Sequence, residues 1–311
     1  MSTVEVSRPK AWLMAARPQT LPAAAAPVIV GSGLAVHDGL FAPLAALAAL
    51  VGAALIQIGT NFANDYYDAI KGADTDERQG FTRVTQSGLI GADEVRRAMV
   101  ATFALAILVG TYLVYVGGVP ILVIGLASVA SGIAYTGGPY PFGYRGLGDL
   151  FVFVFFGLVA VTGTYYVQAA ALLADPFPLW IPPETVTSEA LLASLPIAGL
   201  STAILVVNNV RDLETDRKTG KRTLAVMLGY RWSRIEYAAL LALAYLVPPL
   251  LLAYGFGVWV LLPLVTLPYA ASIARTVATR TSGDALNPAL ERTGKLLAAY
   301  AVLSATGLVL S

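Results

Sequence analysis

The chain has 311 residues, of which 57% are hydrophobic and only 13% are charged. The charged share is about half of that in an ordinary soluble domain, so too little charge remains to cover a water-exposed surface. The net charge of +1 excludes bulk attraction to nucleic acid. The absence of cysteine excludes disulfides, thiolate metal sites and a cysteine nucleophile, and the single His37 excludes a multi-histidine metal site. This composition predicts an integral membrane protein.

Nine apolar stretches are long enough to cross a bilayer, since a spanning helix needs about 20 mostly apolar residues. They predict an all-α integral membrane protein, in which nine transmembrane helices form one bundle and a single domain over residues 1–311. The last stretch is the shortest. In chain order the stretches are 19–36, 39–62, 98–116, 119–136, 150–173, 190–210, 236–254, 256–274 and 296–310.

The positive charges indicate which side of the membrane each connecting segment faces. With nine spans, the segments fall alternately on two sides, and one side holds all 20 Lys and Arg residues. Because segments rich in Lys and Arg stay in the cytoplasm, that side and the N-terminus are predicted to be cytoplasmic. In a bacterial or archaeal host the membrane is then the plasma membrane. The basic segments are 1–18, 63–97, 137–149, 211–235 and 275–295.

Two of these segments, 63–97 and 211–235, follow even-numbered spans and open with the same pattern of polar residues. In each, an asparagine near the end of the span is followed four residues later by an aspartate, so the two side chains share one helix face. The two asparagines lie 144 residues apart, which predicts a four-helix unit used twice and followed by a final helix. The pattern consists of Asn64 and Asp68 in the first segment, and of Asn208, Asp212 and Asp216 in the second.

The acids of these two segments are predicted to bind a hard divalent cation. Like-charged carboxylates on one helix face repel each other, and at the end of a membrane span they also lose hydration, whereas a bound cation reverses that cost. Oxygen ligands without cysteine or a second histidine favour Mg²⁺, which completes its shell with substrate phosphate. One such segment alone is typical of a solvated loop, but two matched ones predict magnesium ligands at Asn64, Asp68, Asn208, Asp212 and Asp216.

Basic residues interspersed with the acids are candidates to neutralise the remaining charge of a bound diphosphate. Each of them has an alternative interpretation as a charge that only sets topology. The tyrosines between residues 135 and 166 are interpreted mainly as packing or interface residues, with one or two as candidates to line a pocket. The predicted diphosphate-binding residues are Lys71, Arg83, Arg211 and Lys221.

The two acidic segments resemble the Asp-rich motifs of the UbiA-type superfamily of intramembrane aromatic prenyltransferases. Residues 64–68 (Asn-Asp-Tyr-Tyr-Asp) are similar to the first motif and residues 212–216 (Asp-Leu-Glu-Thr-Asp) to the second, and the similarity spans nearly the whole chain. The family fold is a nine-helix bundle with both motifs at cytoplasmic helix ends. Further stretches resemble the branch of the family that uses 1,4-dihydroxy-2-naphthoate, namely 17–22, 83–88, 208–224 and 287–288.

The resemblance implies an activity and its substrates. An enzyme of this branch uses Mg²⁺ to transfer a polyprenyl group from polyprenyl diphosphate to 1,4-dihydroxy-2-naphthoate, releases CO₂ and diphosphate, and forms demethylmenaquinone in menaquinone biosynthesis. It implies catalytic roles for Asp68, Asp212 and Asp216. Arg17 becomes a candidate partner for the carboxylate of the aromatic substrate, with a topology-setting charge as the alternative. The surroundings implied are membrane lipid, without a nucleic acid or protein partner.

One position departs from the family pattern, and two alternatives for the function stay open. The broader family often has a further Asp four residues after Asp68, where this chain has Gly72, with acids following at Asp74 and Asp76. The naphthoate branch tends to have an acid near Asp74, which is therefore the expected additional metal ligand. The first alternative is another acceptor, either 4-hydroxybenzoate, homogentisate or a glycerol phosphate lipid. The second is a transporter with duplicated units, against which the clustering of acids at one end of the spans counts.

Overall fold

The computed structural model describes residues 6–71 and 83–311, and every regular element within those ranges is helical. Short 3₁₀-helices at Pro18–Thr20, Phe142–Tyr144 and Val258–Thr266 and a π-helical segment at Phe153–Val159 join or extend the α-helices. The α-helices are α1 (Arg8–Ala16), α2 (Leu21–His37), α3 (Pro43–Ile70), α4 (Ala92–Ala134), α5 (Gly148–Val152), α6 (Ala160–Leu173), α7 (Ser188–Lys218), α8 (Leu224–Ala253), α9 (Leu267–Thr279) and α10 (Gly283–Val309).

Seven helical stretches in the described ranges are long and apolar enough to cross a membrane, which makes the chain a multi-pass, all-helical membrane protein. One of them, α4, has 43 residues and is interrupted at Gly118, between the spans predicted at 98–116 and 119–136. α10 has 27 residues but is not among the seven. The count of nine crossings therefore stays a prediction. The seven stretches are Arg8–His37, Pro43–Ile70, Ala92–Ala134, Gly148–Leu173, Ser188–Lys218, Leu224–Ala253 and Val258–Thr279.

Gly118 allows α4 to break, because the backbone there adopts a conformation that other residues rarely tolerate. Its φ is 64° and its ψ is −151°, and a Cβ at this position would lie 1.8 Å from the carbonyl oxygen of Pro178. The Val119 N–H donates to that same carbonyl at 3.0 Å, and the Phe177 N–H donates to the carbonyl of Tyr115 at 2.8 Å. The loop after α6 thus satisfies backbone groups that the interruption leaves without helical partners.

α7 lies at the centre of the bundle. It is the most buried of the seven apolar stretches and packs mainly against α8, with further contacts to the π-helical segment, α10, α2 and α6. A Cβ on Gly157 would lie 2.1 Å from the Cβ of Ala198 on α7, so only glycine permits this approach. Small residues at helix contacts are typical of membrane proteins, in which close packing stabilises association. The end of α7 that carries the second acidic motif is therefore held on several sides.

The segments 63–97 and 211–235, predicted as loops, contain more helix than expected. α3 continues to Ile70, α7 continues to Lys218, and α8 starts already at Leu224. The polar residues at four-residue spacing therefore lie on the ends of long helices, where the backbone keeps them on a common face. Hydropathy marks where a helix leaves the membrane and not where it ends, so it did not give the ends of these helices.

Candidate active site

A cavity of about 1050 Å³ lies among α2, α3, α4, α7 and α10. Asparagines and aspartates line it at the C-terminal ends of α3 and α7, whereas the middle of these helices contributes both apolar residues and the polar residues Gln57, Thr60 and Ser201. Phe151 of α5 and Phe155 and Phe156 of the π-helical segment contribute to the apolar wall. The volume, the apolar wall and the charged end of the cavity suit a ligand with an apolar part and a charged head group.

The structure brings the two acidic motifs to this one cavity. Of the residues predicted to form the site, Lys71 and Arg211 do not line the cavity, and Asp74, like Asp76, lies outside the described residues. The other eight line it together, although their separation along the chain reaches about 200 residues. These eight are Arg17, Asn64, Asp68, Arg83, Asn208, Asp212, Asp216 and Lys221.

Asp68 of the first motif is oriented by hydrogen bonds from two side chains. One of its carboxylate oxygens accepts a hydrogen bond from Nη2 of Arg83 at 2.5 Å, and the other accepts one from the hydroxyl of Tyr144. Both Asp68 and Arg83 are buried, and such charge-assisted bonds are stronger than neutral ones. On the neighbouring turn, Oδ1 of Asn64 accepts a hydrogen bond from Oγ1 of Thr136 at 2.9 Å. The side chains of the first motif are therefore oriented before any ligand binds.

Asp65 is a structural acid of the same motif, which the sequence did not single out. It is 1% exposed, and one carboxylate oxygen accepts hydrogen bonds from the N–H of Thr85 at 3.0 Å and from its hydroxyl at 2.8 Å. The other oxygen lies 3.9 Å from Nη1 of Arg83 and 3.5 Å from Nη2 of Arg17. Asp65 thereby fixes the turn at 83–88 and holds two cavity arginines in place.

The second motif is organised by Arg211, which was expected to bind diphosphate. Its guanidinium instead donates to both carboxylate oxygens of Asp212, at 2.8 and 2.7 Å, to Oδ1 of Asn208 at 2.8 Å and to Oδ1 of Asn287 at 2.9 Å. Arg211 is 5% exposed. It orients two cavity residues of α7 and links them to α10, so its contacts are those of a positioning residue.

Tyr144 connects the two motifs, and only the folded structure shows it. Its hydroxyl donates to Asp68, its carbonyl accepts from the N–H of Arg222 at 3.0 Å, and the ammonium of Lys221 lies 4.9 Å from its ring centroid. The ammonium of Lys71 lies 5.5 Å from the centroid of the same ring and donates a hydrogen bond to the backbone carbonyl of Thr136. Tyr135 and Tyr144 line the cavity, as expected for one or two of the tyrosines between residues 135 and 166, whereas the contact of Tyr144 with Asp68 was not predicted.

Electrostatic effects at the mouth of the cavity act across both motifs. Burial raises the pKa of Tyr135, with further contributions from the carboxylates of Asp149, Asp216 and Asp68, so this phenol stays protonated. Partial burial lowers the pKa of Lys71, and the charge of Asp68 opposes that change. One acid of each motif, Asp68 and Asp216, thus contributes to the raised pKa of Tyr135.

The donors on the cavity wall fit a hard divalent cation. Within ranges 6–71 and 83–311, no group of three or more His, Asp or Glu side chains is close enough to hold a metal by itself. Mg²⁺ needs no such cage, because it typically takes one or two carboxylates and completes its shell with water and substrate phosphate. The carboxylates of Asp68, Asp212 and Asp216 and the amide oxygens of Asn64 and Asn208 supply that kind of ligand.

The fold and the cavity define a multi-pass membrane protein in which two acidic motifs meet at one large cavity. The sequence model described as the UbiA prenyltransferase family matches residues 24–298. The chain therefore belongs to the UbiA prenyltransferase family.

Individual relatives agree with this membership. The chain is 40% identical to 1,4-dihydroxy-2-naphthoate octaprenyltransferase of Escherichia coli (strain K12), over 100% of this chain and 99% of that protein. It is 39% identical to the protein of the same name in Mycobacterium tuberculosis, over 96% of each chain. The fold is also similar to the structure of a UbiA homolog from Archaeoglobus fulgidus bound to DMAPP and Mg²⁺, with a TM-score of 0.60 and 16% identity over 94% of this chain and 98% of that one.

Proposed function

We propose that this protein transfers a polyprenyl group from polyprenyl diphosphate to 1,4-dihydroxy-2-naphthoate, with loss of CO₂ and diphosphate, and so forms demethylmenaquinol, the reduced form of demethylmenaquinone. The observation that carries the proposal is the meeting of two acidic motifs at one end of a single large cavity that also has an apolar wall. The names of the relatives that match over nearly the whole chain support the choice of acceptor.

The polar end of the cavity binds the diphosphate. Mg²⁺, when held by Asp68, Asp212 and Asp216 with Asn64 and Asn208, supplies positive charge that stabilises the diphosphate as it leaves. Arg83 and Lys221 line the same end and add positive charge toward the phosphate oxygens. Asp74 is a further candidate ligand from the sequence. Arg211 and Lys71 do not line the cavity. Arg211 orients Asp212, and Lys71 lies beside the ring of Tyr144.

The apolar wall protects the allylic cation that develops as the prenyl carbon–oxygen bond breaks. Phe151, Phe155 and Phe156 exclude water, and their ring faces attract positive charge. Water is the competing nucleophile, and a site open to solvent would hydrolyse the prenyl diphosphate. The cavity wall therefore favours transfer over hydrolysis.

Arg17 is the candidate that orients the aromatic acid. It lies at the elbow between α1 and α2, has φ of 52°, and lines the cavity. With the carboxylate held there, the ring carbon bearing it forms the bond to prenyl C1, and the electron pair of the broken C–O bond leaves with diphosphate. The bond to the carboxyl carbon then breaks, CO₂ departs, and its electron pair restores the aromatic ring. The atoms and charges balance without an external base.

The orientation in the membrane follows from the charge pattern. All 20 Lys and Arg lie in segments that nine spans place on one side, which supports a cytoplasmic N-terminus and a cytoplasmic site. In a bacterial or archaeal cell the protein then resides in the plasma membrane, where its prenyl substrate and quinone product dissolve in lipid.

The acceptor is tested with purified protein, geranylgeranyl diphosphate and Mg²⁺, and with four candidate acceptors in parallel. The candidates are 1,4-dihydroxy-2-naphthoate, 4-hydroxybenzoate, homogentisate and a glycerol phosphate lipid, and lipid products are identified by mass. We expect kcat/KM with the naphthoate to exceed that with each other acceptor by about 10²-fold or more, because a polar site rejects poorly matched analogues. A higher kcat/KM with another acceptor would contradict the proposal.

A further inference from the structure

Two buried polar side chains on the cavity wall take no part in the site described above. Gln57 on α3 is 8% exposed and Ser201 on α7 is 3% exposed, and both line the cavity. Oε1 of Gln57 and Oγ of Ser201 have no hydrogen-bond partner within the described part of the chain. Because a buried polar atom without a partner costs free energy, such atoms on a cavity wall point to a bound ligand.

The two residues occupy equivalent places in the two halves of the molecule. Gln57 lies seven residues before Asn64, and Ser201 lies seven residues before Asn208. Seven residues make about two helical turns, so each side chain is on the same face as its asparagine and about 10 Å deeper along the helix. Each acid-bearing helix therefore presents one unpartnered polar atom at the same depth below the predicted diphosphate position.

Neighbouring side chains show that these atoms are not satisfied by the helix itself. The hydroxyl of Thr202 donates to the carbonyl of Ala198 at 2.8 Å, and that of Ser194 donates to the carbonyl of Leu191 at 2.7 Å, whereas Ser201 makes no such bond. The amide nitrogen of Gln57 donates to Oγ1 of Thr20 at 3.1 Å, which turns its free oxygen into a fixed acceptor. A hydrogen-bond acceptor on α3 and a hydroxyl at the equivalent position of α7 match a ligand with two hydroxyl groups.

We infer that Gln57 and Ser201 bind the two ring hydroxyls of the aromatic acceptor and determine its specificity. The inference rests on the proposed function and names two residues that would recognise the aromatic acceptor. A prenyl chain has no donor for Oε1 of Gln57, so it does not satisfy this part of the wall. Thr20, which accepts a hydrogen bond from Gln57, also donates one to the carbonyl of Arg17 at 2.9 Å. The residue proposed to bind the carboxylate and one residue proposed to bind a hydroxyl are therefore linked through the segment between α1 and α2.

The test combines protein variants with substrate analogues, using the full-length protein in detergent. The variants are Gln57→Leu, Ser201→Ala and the control Ser194→Ala, which removes a buried hydroxyl from α7 that does not line the cavity. The ligands are 1,4-dihydroxy-2-naphthoate, the two analogues that lack one hydroxyl, and 2-naphthoate, which lacks both. Dissociation constants are measured by calorimetry, so that the intrinsic reactivity of each ring does not enter.

We expect each variant of the pair to lose affinity for the ligands that carry one particular hydroxyl, by about tenfold. The affinity of each variant for 2-naphthoate should stay unchanged. This result would also show that the substitution leaves the proposed carboxylate contact of Arg17 intact. Ser194→Ala should bind all four ligands like the wild type. Equal losses for all four ligands, or no loss for any, would overturn the inference. A wild-type protein that prenylates only other acceptors overturns the proposed function, and with it this assignment.

Discussion

Replacement of Asp68 or Asp212 by alanine is expected to lower kcat for prenyl transfer by about 10³-fold or more. Each carboxylate lies at the end of one of the two helices that meet at the cavity, and each is oriented by a buried arginine. Without either acid, a carboxylate that would hold Mg²⁺ beside the leaving diphosphate is lost. Turnover is measured in detergent with the naphthoate and geranylgeranyl diphosphate at saturating Mg²⁺.

Glu214→Ala provides the matched control for the two aspartate variants. Glu214 belongs to the same acidic stretch, but its side chain is exposed and pairs with Arg217 at 2.9 Å. We expect its turnover to stay within about twofold of the wild type, as is usual for an exposed ion pair. Size-exclusion elution and the thermal midpoint show whether each variant is folded. Folded aspartate variants with turnover within a few-fold of the wild type would refute the metal assignment.

Arg211→Gln is expected to lower the free energy of unfolding by about 3–5 kcal/mol, because it leaves Asp212 buried without its charged partner. The guanidinium joins Asn208, Asp212 and Asn287, so the variant also loosens α10 from α7. Stability is measured by denaturant titration of the protein in detergent. Turnover should fall together with stability, since the same bonds orient the acid.

Lys221→Gln serves as the contrasting variant. Lys221 lines the cavity and contacts the ring of Tyr144, and its removal leaves no buried acid uncompensated. We expect about a tenfold lower kcat/KM for the prenyl diphosphate, with unchanged stability. If Arg211→Gln instead weakens diphosphate binding at unchanged stability, the arginine contacts the substrate, as its sequence position had indicated.

Short-range patterns in the sequence predicted much of the site. The four-residue spacing of Asn208, Asp212 and Asp216 makes them neighbours on any helix, so their shared face needed no knowledge of the fold. Hydropathy likewise marked the seven apolar stretches, and it placed a boundary next to Gly118, where α4 breaks. Such features depend on residues that are close in the chain.

Features that depend on distant residues were not predictable in the same way. Tyr144 meets Asp68 across 76 positions of the chain, and Arg211 meets Asn287 across another 76. Whether an arginine faces a substrate or its own neighbours depends on packing between helices, which charge alone does not report. Asp65 shows the same limit, because it lies one step from Asn64, about 100° around the helix, and so has different surroundings.

The most direct test of decarboxylative prenyl transfer is a reaction with naphthoate labelled with ¹³C in the carboxyl group. Purified protein in lipid vesicles receives this acceptor and geranylgeranyl diphosphate, with Mg²⁺ or with EDTA, and both gas and lipid products are analysed by mass. We expect labelled CO₂ and unlabelled prenylated product in equal amounts, in the presence of Mg²⁺ and not with EDTA. Product that retains the label, or product that forms equally well in EDTA, would contradict it.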